Sequence, residues 1–382
     1  MKKYAVLTRE PRCFLGSFDF SWEQRKFEEI AVRSSVICSD ANLPRVEYED
    51  IVSGTGRLNK DIYAKESSKS GIAFHQGDVL YGKLRPYLQN WLLPAFDGLA
   101  VGDFWVLQPQ NADSSFLYRL IQSRQFDEVA NQSTGTKMPR ADWKLVSKTM
   151  FSIPSNICEQ AAIGTYFTAL DYLITLHQRK CALLFSSFQA LISMMFTTST
   201  FSWEQRKLGE LALFNPKDEL PQTFEYVDLE SVVGTEMLSH RTEAKSSAPS
   251  RAQRLAHTGD LFYQTVRPYQ RNNYLFEKPD NNYVFSTGYA QMRPYVDGYF
   301  LLSLVQSDRF VKVVLDNCTG TSYPAINAND LAEIEVSAPL DENEAQKIGT
   351  IFRNIDNLIT LHQRELEKLQ NIKKSMLEKM FV

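Results

Sequence analysis

One segment of the chain comes close to a loop that binds nucleotide phosphates. Gly77–Lys83 (GDVLYGK) has the glycine spacing and the lysine of the P-loop pattern G-x-x-x-x-G-K-[ST]. Leu84 stands where that loop needs a hydroxyl for Mg²⁺, and Pro86 discourages the helix that would hold the phosphates. The sequence therefore argues against nucleotide binding by this chain.

Other signatures of catalysis are missing. An adenine methyltransferase needs an Asn/Asp-Pro-Pro-Tyr/Phe loop, and here Asn215-Pro216 is followed by Lys217. The five histidines form no H-E-x-x-H motif and no triad order. No C-x-x-C spacing occurs, so we expect no metal site and no disulfide framework, only free thiols in a reducing cytosol. The cysteines are Cys13, Cys38, Cys158, Cys181 and Cys318.

The chain contains a long internal repeat. Phe20–Lys26 (FSWEQRK) returns as Phe201–Lys207, an offset of 181 (201 − 20), and Leu173–Arg179 (LITLHQR) returns as Leu358–Arg364, an offset of 185 (358 − 173). A repeat of this length is a domain plus a connector used twice, which suits a target made of two parts. Further matches include Gly102 with Gly288, Arg85-Pro86-Tyr87 with Arg267-Pro268-Tyr269, and Thr134-Gly135-Thr136 with Thr319-Gly320-Thr321.

The chain length and net charge exclude few classes of function. The 382 residues allow two domains plus connectors, and the formal net charge of −3 gives no overall basic field. This counts weakly against a protein that only binds DNA, although acidic residues elsewhere could mask a local basic face. We expect no signal peptide and no membrane span, because no long apolar run is found.

Two kinds of segment alternate along the chain. Residues 20–155 and 201–340 mix short β-rich runs with Gly, Pro, Asp and Asn, and each has one helical stretch, Ser115–Phe126 or Gly298–Val314. This pattern predicts two compact α+β domains.

The second kind of segment carries a heptad seam of apolar residues, which predicts a long helix after each domain. Glu159–Phe196 would span about 57 Å at 1.5 Å per residue. His177 fills the one gap in the first seam, and Lys373 breaks the second. Two such helices can bury their seams against each other, while the alternative is that each packs on its own domain. The seams are Ile163, Phe167, Leu170, Ile174, Cys181, Leu184, Phe188, Leu191, Met195 and Ile348, Phe352, Ile355, Ile359, His362, Leu366, Leu369, Met376, Met380.

These features together resemble the specificity (S) subunit of Type I restriction–modification systems. The resemblance rests on Trp203–Glu210 (WEQRKLGE), on Gly77–Tyr81 followed by Leu84–Tyr87 (LRPY), and on the repeated LITLHQR helix, and it covers nearly the whole chain. It implies an α+β fold with target-recognition domains at 1–155 and 201–340. Two long antiparallel coiled-coil helices, 156–200 and 341–382, would separate them.

The resemblance also implies a function. The chain would be a non-catalytic, cytoplasmic subunit that reads a bipartite, asymmetric site on double-stranded DNA. It would scaffold two methyltransferase subunits and the restriction subunits of a complex that acts as a site-specific deoxyribonuclease and an adenine-N6 methyltransferase. S-adenosylmethionine, ATP and Mg²⁺ would bind those partners, with no cofactor on this chain. The rival hypothesis is a coiled-coil adaptor whose two domains bind proteins; a self-contained methyltransferase is disfavoured by the missing motif.

The candidate DNA contacts lie in matched loops of the two repeats. Shared residues are expected to build the fold or touch the DNA backbone, whereas residues that differ could read two different half-sites. The differing stretches are 137–140 (KMPR) against 322–325 (SYPA), and 82–83 (GK) against 264–265 (QT); Lys and Arg suit guanine, and Met suits the thymine methyl. The candidates are Lys83, Arg85, Tyr87, Thr134, Thr136, Lys137, Met138, Arg140, Gln264, Thr265, Arg267, Tyr269, Thr319, Thr321, Ser322 and Tyr323. The alternative is a structural role, with the two arginines of Arg-Pro-Tyr in salt bridges and the two tyrosines in the core.

His177 and His362 hold the same heptad position near the middle of the two predicted helices. Antiparallel pairing would bring such midpoints together, so we expect the imidazoles to lie close and to set the helix register. The alternative is that each histidine reaches the edge of the seam and binds water.

Overall fold

The computed structural model describes residues 21–63, 68–132, 138–197, 203–280, 282–320 and 322–381. The chain forms two compact units, Met1–His177 with Glu365–Val382, and Gln178–Arg364. Each unit combines a mixed α/β domain with parts of the two longest helices, which agrees with the predicted α+β composition.

The strands of the first unit form two four-stranded sheets and two smaller pairs. The sheet orders are β3-β7-β10-β4, in which only β10 and β4 are parallel, and β2-β11-β8-β9, which is antiparallel; β1 pairs with β12, and β5 pairs with β6. The strands are β1 Trp22–Lys26, β2 Ala31–Ser34, β3 Ile37–Cys38, β4 Arg45–Val46, β5 Ile51–Val52, β6 Arg57–Leu58, β7 Gly71–Phe74, β8 Val79–Gly82, β9 Trp91–Leu92, β10 Gly98–Ala100, β11 Phe104–Pro109 and β12 Met150–Pro154. The helices are α1 Phe27–Ile30, α2 Ser114–Leu120, α3 Arg124–Ala130, α4 Trp143–Lys148 and α5 Ile157–Thr197, and 3₁₀ turns cover Tyr48–Asp50 and Pro86–Leu88.

The second unit has the same kinds of sheet with one edge changed. Its orders are β14-β23-β20-β21 and β18-β15-β22-β19, with β15 and β22 parallel, and β13 pairs with β24 while β16 pairs with β17. The strands are β13 Glu204–Lys207, β14 Ala212–Phe214, β15 Thr223–Val227, β16 Val232–Val233, β17 Glu236–Met237, β18 Arg241–Ala244, β19 Ala252–Leu255, β20 Leu261–Gln264, β21 Tyr274–Leu275, β22 Tyr283–Ser286, β23 Tyr289–Pro294 and β24 Glu335–Ala338. The helices are α6 Gly298–Gln306, α7 Asp308–Asp316, α8 Ala328–Ala332 and α9 Glu342–Met380, with 3₁₀ turns at Leu208–Glu210 and Pro268–Gln270.

The single helical stretch predicted in each domain is two helices. Ser123 ends the first stretch because its hydroxyl accepts a hydrogen bond from the amide of Phe126 and caps α3. Ser307 does the same for Phe310 at the start of α7. A serine that caps a new helix interrupts the old one, so the predicted stretches 115–126 and 298–314 were wrong as single helices.

Both predicted long helices are present, as α5 and α9. In the first unit the start of α5 lies beside the end of α9, where Asp171 Oδ1 is 2.6 Å from Lys373 Nζ. In the second unit the end of α5 lies beside the start of α9, where the rings of Phe188 and Phe352 are 5.6 Å apart. His177 of α5 also lies beside Glu365 of α9, so the two helices run antiparallel within the first unit. Among the residues that the structure describes, no helix has the length and apolar character needed to cross a membrane.

One cysteine is not the free thiol that the sequence predicts. Cys38, Cys181 and Cys318 are free, but Cys158 is disulfide-bonded. The expectation of free thiols throughout was wrong there, because disulfide pairing depends on distance in the fold and not on sequence spacing.

Candidate nucleic-acid interface

The repeated Trp-Glu-Gln-Arg-Lys segment ties each domain to the helix that follows it. It forms β1 and β13, which pair with the strand just before the long helix in each unit. The indole Nε1 of Trp22 donates to Glu159 Oε1 at 3.2 Å, and that of Trp203 donates to Glu344 Oε1 at 2.9 Å. The tryptophan and glutamate shared by the two repeats therefore have a structural role.

Two predicted loop clusters meet in the first unit. The amide of Arg85 donates to Pro139 O at 2.7 Å, and Leu84 forms an antiparallel bridge with Arg140. This brings Lys83, Arg85, Tyr87, Met138 and Arg140 to one end of the domain. We call these five residues the first loop cluster.

The second unit repeats this backbone arrangement. The amide of Arg267 donates to Pro324 O at 2.8 Å, and Val266 forms an antiparallel bridge with Ala325. Ala325 also pairs with Thr319 through both backbone amides. The second loop cluster is Gln264, Thr265, Arg267, Tyr269, Thr319, Ser322 and Tyr323.

The Arg-Pro-Tyr turn has the same unusual backbone in both clusters. Arg85 has φ 49° and Arg267 has φ 53°, the left-handed region that costs energy for residues other than glycine. Each turn leaves its tyrosine exposed, 56% for Tyr87 and 50% for Tyr269. No acidic partner of either arginine occurs in the described parts of the chain. The alternative of salt-bridged arginines and core tyrosines therefore fails.

A carboxylate that the sequence analysis missed organises the first cluster. Asp103 Oδ2 lies 2.9 Å from Arg140 Nη2, and Asp103 Oδ1 lies 3.5 Å from Lys83 Nζ. Asp103 O also accepts from Lys83 N and from the hydroxyl of Tyr48, which in turn accepts from the amide of Leu84. Burial raises the pKa of Tyr48 above its ordinary value, so the phenol stays a neutral donor.

Among its described residues, the second cluster has no such charge network. Gly288 O accepts from Thr265 N, as Asp103 O accepts from Lys83 N, so Gly288 occupies the place of Asp103. The repeat match of Gly102 with Gly288 was therefore displaced by one residue. The sequence does carry a signal for Asp103, because an aspartate in the first repeat stands where the second repeat has a glycine.

Aromatic and buried amide groups take the place of charges in the second cluster. The guanidinium of Arg267 lies over the ring of Tyr323 at 4.5 Å, and Tyr323 is exposed. Gln264 and Thr265 are buried, and their side chains donate to Val266 O and Gly288 O. Their geometry suits a structural role better than contact with DNA.

The remaining candidate DNA contacts are either exposed or outside the described residues. Met138, Thr319 and Ser322 are exposed, whereas Thr134, Thr136, Lys137 and Thr321 lie outside the described residues. His177 Nδ1 lies 3.3 Å from Glu365 Oε2 within the first unit, and His362 is half-buried in the second. The register role of the two histidines stays a prediction.

Comparison with known proteins gives a consistent result. A family model described as Type I restriction modification DNA specificity domain matches residues 242–371. The EcoDI specificity subunit of Escherichia coli is 25% identical over 146 residues, 37% of this chain and 33% of that protein. The MjaVIII specificity subunit of Methanocaldococcus jannaschii is 22% identical over 342 residues, 76% of this chain and 77% of that protein.

Two solved structures share the fold. The S subunit of the Type I system of M. genitalium aligns with a TM-score of 0.64 at 14% identity, covering 96% of this chain and 97% of that one. A chain from a structure on complex assembly and conformational transition of the type I R-M system aligns with a TM-score of 0.54 at 17% identity, covering 95% and 98%. The chain is therefore similar over about three quarters of its length to a specificity subunit of a Type I restriction enzyme, and its residues 242–371 match the Type I DNA specificity domain.

Proposed function

We propose that this chain is the sequence-specific DNA-recognition subunit of a Type I restriction–modification complex. The observation that carries the proposal is the pair of loop clusters, which have the same backbone hydrogen bonds and different side chains. A shared backbone suits a shared approach to the DNA phosphates, whereas different side chains suit different bases. The site read should therefore be bipartite and asymmetric, with one half for each unit.

The side chains favour different chemistry in the two halves. In the first cluster, Lys83 and Arg140 can donate to guanine, and Asp103 can hold them in place or accept from the amino group of cytosine. In the second cluster, Arg267 and Tyr323 present a cation and a ring without a carboxylate beside them. Tyr87 and Tyr269 are the matched exposed residues that suit contact with the backbone of either half-site.

The long helices suit the role of a spacer and scaffold. We propose that α5 and α9 act as an antiparallel coiled coil between recognition domains at about 1–155 and 201–340. Their exposed apolar residues would hold two methyltransferase subunits and the restriction subunits. The chain would have no catalytic activity alone, and S-adenosylmethionine, ATP and Mg²⁺ would bind those partners.

Methylome sequencing tests this function. A host that carries the gene and its methyltransferase partner should show methylated adenines in a gapped, non-palindromic motif that disappears when this gene is deleted. The reconstituted complex should also shift duplex DNA with an affinity that falls steeply as salt rises. A continuous motif, or no motif that depends on this chain, would refute the proposal and favour the protein-binding adaptor.

A further inference from the structure

The second unit contains a cleft that the proposed DNA-recognition function does not use. It has a volume of about 560 Å³ and lies between the hairpin β16–β17, the helix α6 and the two long helices of the unit. That volume is within the range of small-ligand sites. Its walls include the aromatic residues Phe185, Phe188, Tyr274 and Tyr299 and the carboxylates Glu236, Glu277 and Asp356.

In the first unit the corresponding space is occupied by the protein itself. Arg119, 3% exposed, crosses from α2 to α5, where its Nη1 lies 2.7 Å from Asp171 Oδ2 and its Nη2 donates to Thr168 Oγ1. Its guanidinium lies over the rings of Tyr118 and Phe167. A second guanidinium, that of Arg57 in the hairpin β5–β6, donates to Thr175 on α5.

The repeat identifies what replaces these groups in the second unit. Asp113 and Asp297 cap α2 and α6 in the same way, which matches Arg119 with Ser303. In the hairpin of the first unit Val52 pairs with Arg57, and in the hairpin of the second unit Val233 pairs with Glu236. This pairing matches Arg57 with Glu236.

The acceptors on the long helix are retained in the second unit. The shared helix motif matches Asp171 with Asp356 and Thr175 with Thr360. Asp356 and Thr360 both line the cleft, and Ser303 leaves open the volume that Arg119 fills in the first unit.

Two cations at the cleft are already engaged. Arg271 lines the cleft, but its guanidinium pairs with Asp308 and donates to Gln306 O. Arg353 lies over the ring of Tyr299 at 5.1 Å and forms an ion pair with Glu277. Asp356 accepts a hydrogen bond from the hydroxyl of Tyr299 at 2.5 Å. Within the described ranges, no cation pairs with Asp356 or Glu236. Two carboxylates beside aromatic rings therefore line an open cleft.

We propose that this cleft binds a guanidinium group in the place that Arg119 fills in the first unit. Asp356 and Glu236 would accept its N–H groups, and the aromatic walls would stack on its plane. The group could come from a free small molecule or from an arginine side chain of a partner protein.

Calorimetric titration of the full chain tests this proposal. Agmatine stands for the free ligand, N-acetylarginine amide for a protein side chain, and urea for the same planar shape without charge. We expect saturable binding of at least one guanidinium compound and none of urea, and the tighter of the two identifies the source.

A matched pair of variants makes the test specific. Ser303→Arg should fill the cleft and abolish binding, whereas Ser303→Ala should leave it unchanged, with folding checked by circular dichroism. Asp356→Asn should weaken binding about tenfold or more. Absence of saturable binding by the unmodified chain, or unchanged binding by Ser303→Arg, would overturn the proposal.

Discussion

The two loop clusters show how one backbone can carry two different surfaces. In the first unit Lys83 and Arg140 share the carboxylate of Asp103, and in the second the matched positions are Thr265, Ala325 and Gly288. The backbone bonds that hold Arg85 and Arg267 are the same within 0.1 Å. Variation at positions outside the shared bonds changes the chemistry of the loop without changing its position.

The contacts between each domain and the long helices also combine a shared backbone position with different side chains. In the first unit Asp171 is neutralised by Arg119 and Lys373, while in the second Asp356 accepts from Tyr299. The rings that close the two domains, by contrast, are shared. Phe381 contacts Trp22 and Phe116, as Phe196 contacts Trp203 and Phe300.

The largest expected effect tests the shared part of this comparison. Phe381→Ala and Phe196→Ala should each cost about 3–5 kcal/mol of the free energy of unfolding, because both rings are buried among aromatic neighbours. Urea unfolding of each variant measures the loss. Leu361→Ala, at an exposed position of α9, serves as the control and should change stability by less than about 0.5 kcal/mol. A large loss from only one of the two phenylalanines would contradict the equivalence of the two closures.

The second prediction tests the part that differs. Arg119→Met should destabilise the chain by on the order of 3 kcal/mol, since it breaks a largely buried ion pair and its hydrogen bonds. Ser303→Ala at the matched position should stay within about 0.5 kcal/mol. Thermal unfolding of both variants decides the matter, and equal effects would show that Arg119 has no special role.

The third prediction concerns DNA. Asp103→Asn should change the discrimination of one half-site by about 1–3 kcal/mol, because Lys83 and Arg140 lose the group that orients them. Competition binding by the reconstituted complex, with duplexes altered in one half-site at a time, measures this. The other half-site is the internal control, and a uniform change in both would argue for a purely structural role of Asp103.

The smallest effect is expected at Gln264. Gln264→Ala removes two hydrogen bonds of a buried amide and should cost roughly 1–2 kcal/mol of stability. Base discrimination should not change, because the side chain does not reach the surface. A change in the recognised bases would show that Gln264 contacts DNA after all.

The sequence predicted the parts of the fold that rest on periodicity and repetition. The heptad seams predicted α5 and α9, and even the break at Lys373 has a cause, since its ammonium pairs with Asp171. The differences between the two repeats also indicated the loops 82–87 and 137–140, and Arg85 and Pro139 of these loops are hydrogen-bonded. Identical residues in two copies and regular spacing are local signals, so they can be recognised from the sequence alone.

What the sequence could not predict depends on contacts distant along the chain. The edge strand β3 pairs with β7 in the first unit, while β18 pairs with β15 in the second, and no local pattern distinguishes these choices. Asp103 was missed because the glycine match was one residue off, and the backbone hydrogen bonds place Asp103 opposite Gly288. Gln264 was a candidate DNA contact because it differs from Gly82 at the matched position beside the shared Arg-Pro-Tyr turn, yet it ends a fully buried strand.

Methylome sequencing of a host that carries the variant Lys83→Thr, Asp103→Gly, Arg140→Ala asks whether each unit reads its own half-site. These changes give three positions of the first unit the residues found at the matched positions of the second, while the backbone bonds of Arg85 remain. We expect a motif in which one half-site changes and the other half-site and the gap are retained. A motif unchanged in both halves, or altered in both, would contradict the claim that each unit reads its own half of the DNA site.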